Sequence, residues 1–346
     1  GQTVFENCDL NSNGAEHSLW TWGGQNISFT NCDFTYGDRA VNCYGEGVTT
    51  NISFTNCNFT KVAGKPTTGA IETNSSTLTA LYLTINNCTV NEGDLWWISE
   101  WDGKGGAKTF ATVDGKIATS AAMSAAIKNG ATTINLLKGE YIIPSDAQGK
   151  TLTFVGLEDN PEAVKVGVTK VGTGGENCDY GLDGSTVTFE NITITTNSST
   201  YIGYARCKGT YKNCVINGTY TLYDNSIFEN CTFNVSGDVY NIWKWGAPTA
   251  TFTECTFNSD GKAMLLYGTA NTELTVNNCT FNDKGGLTDK KAAIEIGNDY
   301  DKSYELIVNN TTVNGYEIND KGISTGTTLW ANKNSMGKDK LNVVVD

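Results

Sequence analysis

Arginine occurs only twice in this chain, at Arg39 and Arg206, and histidine once, at His17. The formal net charge is -13. A surface so acidic and so poor in guanidinium argues against nucleic acid and against anionic membrane surfaces as partners. No apolar run reaches membrane-spanning length, so no membrane insertion is expected. No two cysteines have C-x-x-C spacing, and a single histidine adds little to a donor set, so no metal or other cofactor is expected. Helix signals are equally scarce. Only T-S-A-A-M-S-A-A-I-K-N-G, from Thr119 to Gly130, sets Ala, Met and Ile at helical spacing before a Gly stop. No signal peptide is present. The chain reads as beginning within a repeat, so that observation carries nothing about secretion.

What the sequence has instead is a recurring phrase: apolar, spacer, Asn, Cys, spacer, apolar. It reads F-E-N-C-D-L around Cys8, F-T-N-C-D-F around Cys32, F-T-N-C-N-F around Cys57 and I-N-N-C-T-V around Cys88. It returns around Cys214, Cys231, Cys255 and Cys279, and without the thiol at Asn191-Ile192 and Asn310-Thr311. Most copies lie about 24 residues apart. A period in this range marks a solenoid, in which each repeat buries its apolar face only against its neighbours. Apolar residues alternate on both sides of the Asn, and Phe, Ile, Val and Thr dominate, so the segments are strands. Asn tolerates the left-handed conformation of a sharp bend. Stacked coil upon coil, its amides can bond to one another. The pattern thus predicts Phe29 inward, Asn31 at a corner, then Cys32 and Phe34 inward.

This phrase, over nearly the whole chain, resembles the right-handed parallel β-helix of the pectin-lyase-like superfamily with its asparagine ladder. The resemblance implies an all-β solenoid. The superfamily holds polysaccharide lyases, glycosidases, phage tailspikes and bacterial adhesins, and the fold does not choose among them.

A larger repeat sits above the first. Residues near 4 to 90 realign on 227 to 313 with an offset of about 223. Cys8, Cys32 and Cys57 fall on Cys231, Cys255 and Cys279, Trp20 and Trp22 on Trp243 and Trp245, Tyr44 on Tyr267, Glu72 on Glu295, and Arg39 on Lys262. The expected organisation is the C-terminal part of a first β-helix unit over 1–115, then a second unit over 116–346 whose capping helix is the Thr119–Gly130 stretch. Such a cap covers the open end of the core and blocks strand pairing at the edge. Further β-helix units in the parent chain are expected.

Most of the eleven cysteines recur at an inward position, where Cys acts as a small hydrophobe. A reduced stack is expected, with a disulfide conceivable only among Cys43, Cys178 and Cys207. Sequons at Asn26, Asn51, Asn87, Asn230 and Asn278 read largely as by-products of the corner, with corner Asn expected to be buried. Asn74, Asn197 and Asn217 stand off the ladder and are better acceptors.

Function is sought on the outer face. The strand about ten residues before each phrase reads L-W-T-W-G, V-N-C-Y-G and A-I-E-T-N in the first unit, and I-W-K-W-G, M-L-L-Y-G and A-I-E-I-G in the second. An unpaired buried carboxylate is costly, so Glu72 and Glu295 are expected to point outward into solvent. Carried sideways, that parity puts Trp20, Trp22 and Tyr44 outward, and Trp243, Trp245 and Tyr267 outward in the second unit. Lys244 then faces inward, which is awkward unless it snorkels. Flat rings beside a carboxylate suit a glycan or polysaccharide. Packing under a loop, or a parity off by one, would leave the same residues structural. Trp96, Trp97 and Trp101, with Trp330 in the related place, are expected to cap core ends. No Asp cluster with a basic residue, as the lyases use, is evident, and no catalytic residue is assigned. Asp94, Glu100 and Asp102 lack a counterpart trio in the second unit, and Asp299 with Asp301 offers at best a loop site for Ca²⁺. The expected function is a non-catalytic, surface-exposed β-helix, adhesin-like or fibre-like, contacting glycans outside the cell or on a virion. A carbohydrate-active enzyme using Glu72 or Glu295, and a structural spacer, remain as alternatives.

Overall fold

The computed structural model describes residues 1–12, 17–44, 47–62, 69–73, 79–91, 95–99, 108–168, 182–195, 207–246, 249–267, 271–286, 292–297, 302–316, 330–332 and 341–345. The chain is a parallel β-helix solenoid that divides into two compact units, Gly1–Asn129 and Gly130–Asp346. Asp94, Glu100, Trp101, Asp102, Cys178, Asn74, Asn197, Asp299 and Asp301 lie outside the described residues. So do the side chains of Trp96, Trp97 and Trp330.

Three parallel sheets wrap the first unit. The long sheet holds Gln2–Glu6, Asn26–Thr30, Thr49–Thr55, Ala80–Asn86 and Thr109–Val113. A short sheet follows each corner: Asp9–Asn11, Asp33–Tyr36, Asn58–Lys61 and Thr89–Val90. A third sheet holds His17–Trp22, Arg39–Tyr44, Gly69–Thr73 and Leu95–Ser99. The helix Ser120–Lys128 packs on Thr109–Val113, with Met123 and Ile127 buried. Its N-cap, Thr119, accepts from Ala122 N–H at 3.2 Å and donates to the Thr109 carbonyl at 2.6 Å, which fastens the helix to that strand.

The second unit repeats the plan. Its long sheet runs from Thr133–Leu136 to Leu341–Val345, its short sheet from Gly139–Ile143 to Thr312–Asn314. Its third sheet holds Tyr220–Leu222, Ile242–Lys244, Met264–Leu266, Ile294–Ile296 and Trp330–Asn332.

The corner between long and short sheets is the predicted one. Asn7, Asn31, Asn56 and Asn87 hold φ between 49° and 54°, as do Asn191, Asn213, Asn230 and Asn278 in the second unit. Asn31 Nδ2 donates to Asn7 Oδ1 at 3.2 Å, Asn56 to Asn31 at 3.2 Å and Asn87 to Asn56 at 2.7 Å. Asn213 donates to Asn191 and Asn310 to Asn278 in the same way. The expectation that corner Asn is buried is corrected: Asn7, Asn31, Asn56, Asn87, Asn230, Asn278 and Asn310 are exposed. The left-handed residue at the bend turns its own Cβ out, so the amides climb the outside of the bend. Asn217 is a second correction. It is the first rung of another ladder, on the short sheet, where Asn234, Asn258, Asn282 and Asn314 each donate to the preceding amide oxygen at 2.9–3.1 Å. That register places Asn217, Asn234 and Asn258 side by side.

Inside each corner, like side chains stack on like. Phe5, Phe29 and Phe54 lie with ring centroids 4.8 and 5.0 Å apart, and Phe228 and Phe252 at 4.8 Å. Each fully buried Phe contributes about 1.5–3 kcal/mol. Cys32, Cys57, Cys214, Cys231, Cys255 and Cys279 are buried, and none of the ten described cysteines is in a disulfide. Burial pushes the Cys32 and Cys57 thiols up.

Glu254 breaks the second unit's corner ladder. It holds φ at 56°, between Asn230 and Asn278. A non-Gly, non-Asn residue in this region costs roughly 1–2 kcal/mol. Glu254→Asn is therefore expected to stabilise the protein by about 1 kcal/mol in denaturant melts; a destabilised variant would contradict the ladder's energetic role.

Candidate functional site

The third sheet fixes what faces out. Leu19, Val41 and Ile71 share one register position, and Val41 and Ile71 are fully buried. Trp20, Asn42 and Glu72 share the next, so they occupy the opposite, outer face, as do Trp22 and Tyr44 one step further on. Trp20 is 57% and Trp22 67% exposed. The Trp22 and Tyr44 rings lie 4.5 Å apart, and the Trp20 ring lies 5.8 Å from that of His17.

Glu72 lies on that outer face but is only 4% exposed, which corrects the expectation of a solvated carboxylate. The assumption that failed was that it lacked partners. Its Oε2 is 3.1 Å from His17 Nε2 and 3.3 Å from Arg39 Nε. Arg39, itself 3% exposed, also ion-pairs through Nη1 with Asp38. Asn42 Nδ2 is placed 3.3 Å from His17 Nε2. That nitrogen cannot donate to Glu72 and accept from Asn42 at once. With Nε2–H given to the carboxylate, the Asn42 amide turns, so that its oxygen faces the same N–H. Amide oxygen Oδ1 of Asn42 as placed is buried without a hydrogen-bond partner among the described residues, and a turned amide puts Nδ2 in that position instead.

The second unit keeps the plan with different chemistry. Trp243, Leu265 and Glu295 share a register position on the outer face, while Ile242, Met264 and Ile294 face in and are fully buried. Glu295 is 1% exposed, the same correction as for Glu72. Its Oε2 accepts from the Tyr240 hydroxyl, 55 residues upstream, the separation of His17 from Glu72. Lys262, the counterpart of Arg39, ion-pairs with Asp238 and lies 5.4 Å from the Tyr240 ring centroid. Glu295 Oε1 is buried without a hydrogen-bond partner among the described residues. Trp243, Trp245 and Tyr267 are half-buried and pack on one another, at 6.3 Å for the two Trp, and 6.2 and 5.2 Å for each with Tyr267.

Sequence reasoning therefore found the strip but missed its floor. His17 was weighed only as a metal ligand, and Arg39 only as a cation kept as Lys262. The signal was present: His17 and Tyr240 stand at the same offset as the two Glu residues. Among the described residues no group of three or more His, Cys, Asp and Glu is arranged to hold a metal ion. No helix among them is long and apolar enough to cross a membrane. The sequence matches no family model and no curated protein.

Chemically, each floor presents one buried carboxylate beside a ring donor, His17 in the first unit and the Tyr240 hydroxyl in the second, and the first adds a guanidinium. Hydrolysis of a glycosidic bond by the usual route uses two carboxyl groups about 5–9.5 Å apart across it. Asp38, the other carboxylate of the first floor, contacts Arg39 at a different nitrogen from Glu72.

Lys244 faces in, at the register of Leu222, Leu266 and Ile296, and is 2% exposed. Its Nζ donates to Thr272 Oγ1 at 3.0 Å. Burial lowers its pKa to about 7. The folded-state value lies below the unfolded one, so the unfolded chain binds more protons from about pH 7 upward, and stability rises with pH there. Below pH 7 the buried charge is carried in full, a cost of up to about 5 kcal/mol. Lys244→Met is expected to be more stable than wild type at pH 6, the gap closing by about 1.4 kcal/mol per pH unit between pH 7 and 8.5. Chemical melts of both proteins check this; a gap independent of pH would mean that Lys244 does not titrate in this range.

Proposed function

We propose that this protein is a non-catalytic, surface-exposed β-helix, adhesin-like or fibre-like, that contacts glycans through the outer face of its third sheet. The observation that carries the reading is the exposure of Trp20 and Trp22, 57% and 67%, on one strand face beside Tyr44. Large rings left open at adjacent outward positions are uncommon unless something covers them. Aromatic rings stack on the C–H faces of pyranoses, and such anchors carry much of the energy of binding sites. The solenoid resembles that of pectin-lyase-like proteins, among them adhesins and tailspikes, which agrees with a place outside the cell or on a virion. The acidic net charge supports partners other than nucleic acid. Each site would be weak, with Kd on the order of 0.1–1 mM, and several units on one filament would strengthen it.

A carbohydrate-active enzyme is the second reading. It draws on Glu72, held against His17 and Arg39. Turnover of a polysaccharide, lost in Glu72→Gln, would favour it.

A glycan array tests the proposal. The wild type is expected to bind at least one glycan class, and Trp20→Ala with Trp22→Ala to abolish that binding while leaving the melting temperature within about 2 °C, since surface substitutions usually stay within about 0.5 kcal/mol. A blank array, or a double variant that unfolds, would assign the rings to packing.

A further inference from the structure

We infer that the first unit carries the working site of the duplicated pair, and that it takes an uncharged glycan chain, one per protein chain. The inference rests on the glycan reading and deepens it. Three observations carry it.

The first is the state of the rings. Trp20 and Trp22 are more than half exposed, in two separate pairs, with His17 and with Tyr44. Their counterparts Trp243 and Trp245 are half-buried, and both pack on Tyr267 as well as on each other. Rings spent on one another have less face left to offer. Trp20 and Trp22 stand two residues apart on a strand, roughly 6.6 Å, so adjacent sugar units can meet adjacent rings.

The second is the floor's charge. The Arg39 Nε lies within ion-pair distance of Glu72, without hydrogen-bond geometry to it, and Nη1 pairs with Asp38. The guanidinium is already matched, so it does not draw in a sugar carboxylate. Glu72 in turn is committed to Arg39 and His17, so it does not draw in an ammonium group. Among the described residues the floor sets two carboxylates, Glu72 and Asp38, against one guanidinium, so it offers no spare positive charge to a ligand; beside the Trp20 ring it presents the His17 ring edge, with a side chain 14% exposed. Uncharged hydroxyls fit such a surface without the desolvation cost of an extra charge.

The third is that the second floor differs at the positions that matter. Tyr240 stands for His17, Leu265 for Asn42 and Lys262 for Arg39, and Lys262 turns to Asp238 instead of Glu295. Among the described residues the second strip thus lacks the His17, Asn42 and Arg39 set, and its rings are less exposed.

The test is calorimetric titration of the full chain with four hexasaccharides: cellohexaose and mannohexaose (uncharged), hexagalacturonate (anionic) and a fully deacetylated chitosan hexamer (cationic). An uncharged chain is expected to bind with one equivalent per protein, at least tenfold tighter than either charged probe, and with less than a twofold change between about 20 and 300 mM salt. Trp22→Ala, whose side chain is mostly in solvent, is expected to weaken that binding at least tenfold with its thermal melt unchanged. A tighter charged probe, a steep salt dependence or two equivalents per chain would overturn the inference and leave the glycan reading standing. Silence from all four probes and from a broad array would remove that reading, and the inference with it.

Discussion

The left-handed corner is the constraint on which the rest depends. At most turns from the long sheet to the short one, a residue with φ between 46° and 56° redirects the chain within a single position. Asn accepts that conformation at little cost, and its amide then meets the amide of the next coil. Because each corner repeats at one height in the stack, the residues around it fall into columns: Phe over Phe, Cys over Cys, Asn over Asn. The columns fix register, and register fixes which side chains of the third sheet face out. One torsion thus reaches, through side-chain parity, to the exposure of Trp20 and the burial of Lys244.

The outer-face polar cluster shows how a solenoid accommodates buried charge away from its core. Glu72 and Glu295, at outward register positions, lie buried against partners from other coils. His17 and Tyr240 reach their carboxylates from 55 residues upstream, so each contact ties coils that are not adjacent in the stack. The first cluster sets Glu72 and Asp38 around the Arg39 guanidinium. The second keeps a carboxylate oxygen with no partner among the described residues, while its lysine serves another acid. Duplication preserved the positions, and substitution changed what each position offers a ligand.

The phrase around each Cys made most of the fold legible. Short-range alternation decides strand and parity, and both Asn and Cys reported their positions directly. The Trp strip followed from the same parity. What was misread needed information from across coils. Corner Asn was expected to be buried because ladders suggest enclosure, whereas the sign of φ sends the side chain out. Asn217 looked off-ladder because its column lies on the short sheet, four residues past the corner Asn213. Glu72 was expected in solvent because Arg39 and His17, far away in sequence, could not be seen to converge on it. Sequence gives the face of a strand well; it gives poorly what comes to lie over that face.

Hydroxyl-radical footprinting read by mass spectrometry tests the central claim most directly, because it reports each tryptophan in solution. Trp20 and Trp22 are predicted to be oxidised several-fold faster than Trp243 and Trp245, and to be the ones protected when a glycan binds. Equal rates at the two strips, or protection confined to Trp243 and Trp245, would contradict the account.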